Sequence, residues 1–480
     1  MIKAHAWMLA ALLAPGAAGA NGAYTQLHDF SGADGKYGQA ELLLGSDGAF
    51  YGTTTAGGRN DDGVLFRVTT DGAYSVLHHF GPGASRPQGG VIQGSDGAFY
   101  GTTYYGGTGD NGSIYRVAPD RSYQRLHAFN GSGGAHPLGA LAMDTGGTLY
   151  GTTFAGGRHD HGVVFSRSAD GTYRRLHDFD DADGANPTSG VVIGPDGALY
   201  GVTNYGGAAG LGAAYRITTD GQYSKLHDFD NAEDNGSRPS PALTLGPDGA
   251  LYGTTTAGGL HQAGIVFRLA TGGAFTKLHD FDLDDYNGYF PYGVLTVTPE
   301  GTLYGTTFGG GDIADGAVFR LEPDGTYTKL HDFYGDRGHW PYAGVTLDAD
   351  GVLYGVASEG GAQGYGTVFR LDARHMPTAT ITATPASIGP GETSTINWTS
   401  DGATSCFATS GNWFYGEQPA AGSVRRGVSG NINNPGGRFP YALTCSGPGG
   451  SVKTSATVTV MQPPPTLEMS VSASHAAVGT

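Results

Sequence analysis

Tyr223-Ser-Lys-Leu-His-Asp-Phe229, read YSKLHDF, ends one unit of a pattern that fills most of the chain. The tetrad at its end recurs around His28, His78, His127, His177, His227, His279 and His331, which is 303 residues in six steps, about 50 per step. Such a period signals one supersecondary unit copied along the chain. The rest of the unit recurs in phase. A YGTT-type run starts at Tyr51, Tyr100, Tyr150, Tyr200, Tyr252, Tyr304 and Tyr354, and a Gly-Gly pair follows each, as at Gly57-Gly58 and Gly258-Gly259. A GVVFR-type run then ends at Arg67, Arg116, Arg216, Arg268, Arg320 and Arg370, while the third copy carries Ser166 at that place.

One unit holds four strand-like runs. In the fourth copy these are GVVIG from Gly190, ALYGVT from Ala198, AAYRIT from Ala213 and YSKLHDF from Tyr223, here strands a, b, c and d. Pro195-Asp196-Gly197 joins a to b, and Asp220-Gly221 joins c to d. Asp-Gly between strand-like runs marks a tight hairpin, because glycine tolerates the positive φ of the reversal. The b–c and d–a connections are longer and vary. Four antiparallel strands at this period predict propeller blades. Runs a, b and c occur seven times, but the first d run, Tyr24–Phe30, precedes the first a run, and the last copy stops after c at Arg370-Leu371. Pairing of Tyr24–Phe30 beside Gly366–Leu371 would complete the seventh blade and remove an exposed edge. The expected fold is all-β, a seven-bladed β-propeller over residues 21–372.

Through DGxLYGTT, the Gly-Gly pair, GxVFR and DGxYxxLHDF, residues 24–371 resemble the GloVer tandem repeats of exported bacterial proteins. More distantly the strand pattern resembles NHL-type propeller blades. The resemblance implies an exported repeat protein without a well-defined activity, and it transfers no catalytic residue.

Composition agrees with export. Lys3, the apolar run Trp7–Ala14 and the small residues Ala18-Gly19-Ala20 have the order of a secretory signal over residues 1–20, cleaved between Ala20 and Asn21. No segment is long and apolar enough to predict a spanning helix. The net charge of −17 argues against nucleic acid as a partner. The two cysteines, Cys406 and Cys445, are expected to form a disulfide in an oxidising compartment.

A histidine beside an aspartate invites a catalytic reading. In a regular strand, however, Tyr223, Lys225, His227 and Phe229 share one face, and Leu226 and Asp228 the other, so His227 and Asp228 cannot act as a base and its orienter. The aspartate also becomes His79 in one copy and Ala128 in another. Scaffolding is the expected role. Gly107–Gly112 spells GxGxxG but lies between strands rather than before a helix. His159-Asp160-His161 lacks a specific zinc spacing. The acidic loop Asp178–Gly184 has the charge for calcium but not EF-hand phase. No cofactor is expected, with calcium as the single candidate.

Packing residues must repeat, so function is expected where the copies differ, on the long loops. Two adjacent d–a loops carry Tyr286, Tyr289, Phe290 and Tyr292, then His339, Trp340 and Tyr342, with Tyr37 next around the ring. Aromatic platforms suit glycan or protein ligands; packing of the loops on one another is the competing reading. After Asp372 the composition changes. TATITATP, TSTINWTS, YALTC and TSATVTV predict an Ig-like β-sandwich over residues 377–461, although Trp398 precedes both cysteines, unlike antibody domains. Residues 462–480 repeat its beginning, as a linker and the start of a second module. The expected function is extracellular or surface recognition of a glycan or protein. The alternatives are a polysaccharide-active enzyme using Asp284, Asp285 and Asp336, and a structural spacer.

Overall fold

The computed structural model describes residues 24–283, 287–311, 314–373 and most strands between 378 and 461. The signal with its Ala20–Asn21 cleavage point, Asp284, Asp285, Tyr286 and residues 462–480 lie outside the described residues. The chain divides into two compact units, Met1–His375 and Met376–Thr480.

Among the described residues, the first unit contains seven four-stranded antiparallel sheets. The fourth comprises a Val192–Ile193, b Leu199–Thr203, c Ala213–Ile217 and d Tyr223–Asp228, hydrogen-bonded in that order. Six sheets follow the chain in this way. In the remaining one, Tyr24–Asp29 supplies strand d and pairs with Thr367–Leu371, Tyr24 opposite Leu371 and Asp29 opposite Thr367. Counting blades from Leu43, the chain's first described strand therefore belongs to the last blade. Neighbouring blades pack face to face. Tyr200, Ala214 and Phe229 of blade 4 meet Leu243, Ile265 and Phe267 of blade 5. Likewise Tyr354 and Val368 of blade 7 meet Leu42, Phe50 and Phe66 of blade 1. The fold is a β-propeller in which Tyr24–Asp29 and Thr367–Leu371 meet in one sheet.

The repeated residues follow from this packing. Gly201 on strand b lies opposite Tyr215 on strand c, and the tyrosine ring crosses over it. A Cβ at Gly201 would come within 2.4 Å of the Tyr215 hydroxyl. Gly52 opposite Phe66 and Gly253 opposite Phe267 repeat the arrangement. The YG of strand b and the aromatic of strand c are thus one packing unit. At the inner edge, strand b threonines reach the next blade: the Thr306 hydroxyl donates to Ala343 O at 2.8 Å and that of Thr53 to Gly89 O at 3.2 Å.

Strand d departs from the expected alternation. Lys225 lies opposite Tyr215 and His227 opposite Ala214, leaving Leu226 as an unpaired bulge residue. All seven d strands carry a register shift at this leucine. An extra residue resets which side chain points where. The single face assigned to Tyr223, Lys225, His227 and Phe229 is therefore corrected: Tyr223 packs toward blade 3, while His227 and Phe229 face blade 5. The bulge also brings Lys225 and Asp228 to one side, where they pair at 2.9 Å.

In the second unit, Thr378–Thr384, Thr393–Asp401 and Gly422–Gly427 form one sheet. Five strands between Ser387 and Val460 form another. Ile381, Ile396 and Trp398 from the first sheet pack against Leu443, Val458, Cys406 and Cys445 from the second, as a sandwich. Cys406 and Cys445 are disulfide-bonded and stand directly opposite each other on adjacent strands, so the bond lies within one sheet rather than across the two.

Candidate functional site

The histidine of the opening stretch is structural. His227 stacks on Phe275 of blade 5 at 4.1 Å, and each equivalent histidine stacks on the first aromatic of the next d strand. The series closes where His331 stacks on Tyr24 at 4.1 Å. The neighbouring aspartate serves another purpose: Asp228 Oδ1 accepts the Ala208 amide at 2.8 Å and so caps the b–c loop. In the first blade His79 Nδ1 accepts the corresponding Arg59 amide. Where a d-strand histidine does meet a carboxylate, it is one from the d–a loop, as in His28–Asp34 at 3.1 Å and His177–Asp183 at 2.7 Å.

The hairpin face carries a second repeated device that the sequence reading did not find. Asp196 Oδ2 accepts from the Tyr200 hydroxyl at 3.0 Å and from Arg216 Nη2 at 2.7 Å, clasping the a–b turn to strands b and c. Burial pushes the Asp196 carboxyl up, but Arg216, the Ala198 amide and Tyr200 together hold it below the usual carboxylate range. Asp47-Tyr51-Arg67 and Asp96-Tyr100-Arg116 repeat it. The constant spacing of Asp, Tyr and Arg was its visible signal. A cleft of about 360 Å³ is lined by Asp47, Tyr51 and Arg67, which are committed to this clasp, and by Leu77, Gln93, Phe99, Pro119 and Arg121 among others.

On the loop face, besides Asp181 and Asn231, one equivalent position in each d–a connection has positive φ without being glycine. These are Tyr37, Arg86, His136, Asn186, Arg238, Phe290 and Trp340, with φ between 51° and 59°. Each donates its amide to the b–c loop of the preceding blade, and Tyr37, Arg86, His136, Arg238, Phe290 and Trp340 also accept at the carbonyl from the following one. The Trp340 amide donates to Asp315 O of blade 6, and Trp340 O accepts from Ser358 of blade 7; Phe290 bonds likewise to Ala263 and Phe308. A bulky residue in this region costs about 1–3 kcal/mol, and such positions cluster at ligand sites. The backbone is the same at all seven, yet the side chains are nearly all different. Six precede proline, which was the signal in the sequence.

Around two of these positions the loop aromatics gather. Trp340 stacks on Phe308 at 5.6 Å, Phe308 meets Tyr342 at 4.9 Å, and Tyr342 meets Tyr292 at 5.5 Å. Burial, then the neighbouring Tyr292, pushes the Tyr342 hydroxyl up. Tyr292 is 36% exposed. Phe308, from the b–c loop, was missed because its YGTT-F context reads as part of the repeat. Tyr289 and Phe290 form a separate edge-to-face pair at 4.9 Å. His339 turns away to Asp315, Nδ1 to Oδ2 at 2.8 Å. Tyr37 meets Tyr365 at 6.2 Å. Asp336 is exposed in the short turn Gly335–Arg337.

The remaining motifs have local roles. Asp110 and Asp160 accept the Gly106 and Gly156 amides, so GxGxxG and His159-Asp160-His161 are loop caps. Asp183 accepts the Asp180 amide as well as meeting His177. Among the described residues, no group of three His, Cys, Asp or Glu side chains is placed to hold a metal, and no helix is long and apolar enough to cross a membrane.

Comparison with known proteins adds the family. No curated protein matches the chain. Among solved structures, PorZ, a surface component of the type-IX secretion system of Porphyromonas gingivalis, is 14% identical, with 91% of this chain and 60% of that one covered at a TM-score of 0.44. A puromycin hydrolase is 15% identical, covering 88% and 61% at 0.47. The BP39L lectin from Burkholderia pseudomallei is 11% identical, covering 69% and 99% at 0.44. None of these values supports a transfer of activity. The repeat itself is decisive: the model of the Gloeobacter/Verrucomicrobia repeat matches residues 17–150, 87–300 and 282–462, and the chain belongs to that family.

Proposed function

We propose that this is an exported recognition protein that binds an extracellular saccharide chain on the loop face of its propeller, with residues 377–461 as an appended Ig-like module. The observation that carries the reading is the set of seven pinned, positive-φ positions with divergent side chains. A scaffold that only filled space would gain by placing glycine there, since glycine bears no strain at positive φ. The row Tyr292, Tyr342, Phe308 and Trp340 supports a saccharide, because flat rings cover the apolar faces of sugars at low entropic cost. Export is supported by the signal-like first 20 residues and by the disulfide.

The test is a glycan array probed with the mature protein, Trp340→Ala and Tyr292→Ala, each first shown to be folded by thermal unfolding. Saccharide binding that weakens at least tenfold in both variants is the expected result. A protein that binds no saccharide overturns the reading, and release of shorter oligosaccharides would move it to the enzyme class.

A further inference from the structure

The strongest unabsorbed feature lies where the aromatic row meets a cation. Arg238 is one of the seven positive-φ residues, at 53°, and its side chain is exposed. Its guanidinium lies 5.8 Å from the centre of the Tyr205 ring, and Tyr205 is 41% exposed. Tyr292 is close enough to feel both the Arg238 charge and Tyr205. The Arg238–Tyr205 pair, from blades 5 and 4, thus lies beyond the Tyr292 end of the row, within electrostatic range of it. The arginines of the hairpin face are different: Arg67, Arg116, Arg216 and Arg268 are each paired with an aspartate. Among the described residues no carboxylate lies within ion-pair distance of Arg238. Arg86 also sits over a tyrosine, Tyr105, at 5.3 Å, and it too makes no ion pair among the described residues, but its charge acts on Asp61 and Asp62.

We infer that the saccharide bound on this face carries a carboxylate, as a uronic acid does, and that Arg238 is the residue that reads it. The inference rests on the saccharide reading above and deepens it. A planar guanidinium matches a carboxylate with two parallel hydrogen bonds, and stacking on Tyr205 holds that fork in place before the ligand arrives. The net charge of −17 limits what kind of acidic chain fits. A dense polyanion is repelled, whereas a mostly neutral chain with isolated uronates gains locally at Arg238 without a large global penalty. Sugar rings to one side of the uronate then lie along Tyr292, Tyr342 and Trp340.

The experiment uses the mature full chain, a panel of uronate-containing oligosaccharides and the same oligosaccharides after carboxyl reduction, which removes the charge and keeps the sugar ring. Binding is followed by calorimetry at low and at 0.5 M salt. The wild type is expected to prefer the uronate form at least tenfold, less so at high salt. Arg238→Gln should bring both forms to the same affinity while retaining the aromatic contribution. Arg121→Gln, the control, alters an exposed arginine in the c–d turn before Tyr123–Ala128 and should keep the preference. Equal binding of both forms by the wild type, or a preference that survives in Arg238→Gln, overturns the inference and leaves the saccharide reading standing. Failure to bind either form overturns both.

Discussion

At the scale of single residues, the tetrad Leu-His-Asp-Phe divides its labour cleanly. Leu226 is the bulge, His227 stacks on the next blade, Asp228 caps the b–c loop, and Phe229 enters the core. Removing the cap should therefore hurt. Asp228→Ala frees the Ala208 amide and Lys225 and is expected to cost about 1 kcal/mol in urea unfolding. The converse holds in blade 1. Burial, then Arg59, lowers the pKa of His79 below the usual imidazole value, so below about pH 6.5 the unfolded state takes up a proton that the capping ring resists, and stability falls. His79→Asp should stabilise the protein by up to about 1 kcal/mol at pH 5 and by less at pH 8. Glu41 titrates the other way. Its six equivalents are Gly90, Ala140, Gly190, Ala242, Val294 and Gly344. Burial without a compensating donor pushes its carboxyl up to about 8. The folded state then holds a proton that the unfolded state releases near pH 4.5, so stability falls as pH rises from there through 8. Glu41→Gln should be nearly neutral at pH 4.5 and raise Tm by several degrees at pH 9.

At the scale of elements, the blades meet in two different ways. Inner strands approach backbone to backbone: a Cβ at Gly190 would come within 2.0 Å of Ala140 O, and one at Gly344 within 2.1 Å of Val294 O. Gly190→Ala forces two blades apart and is expected to cost about 1–3 kcal/mol, measured by thermal unfolding. Outer strands meet through the histidine stacks. Burial lowers the pKa of His28, His78, His127 and His331, the last to about 3. These rings are neutral in the fold and charge on unfolding, so stability should fall steadily from pH 6.5 to below pH 4. A flat profile over that range would contradict the stacked geometry. The repeated sequence made these strands and hairpins legible, because Asp-Gly turns and fixed spacing are local. The face each d residue occupies was not legible, because the bulge at leucine arises from pairing with strand c.

At the scale of the whole molecule, stability depends on a strand borrowed from the other end of the unit. Tyr24 stacks on His331, meets Phe369 at 5.7 Å and donates its hydroxyl to Arg337 O. Tyr24→Ala should cost about 2 kcal/mol or more. A chain beginning at Ser31 should expose the Thr367–Leu371 edge, lose a single cooperative transition and aggregate at concentrations where the intact chain stays dispersed. The second unit has its own core and disulfide. Reduction of Cys406–Cys445 should weaken it by roughly 2–4 kcal/mol while leaving the histidine-stacked unit unchanged in hydrogen exchange.

The sequence by itself determined the repeat, the all-β class and the strand order within each blade, because these are written in local spacing and turn chemistry. It also located the aromatic loops. Tertiary structure alone decided that the histidines form a closed stacked series, that Phe308 joins Trp340 and Tyr342, and that Arg238 meets Tyr205 across two blades. Those contacts join residues from different copies. Their geometry is set by how one sheet packs on the next, which no single stretch of the chain encodes.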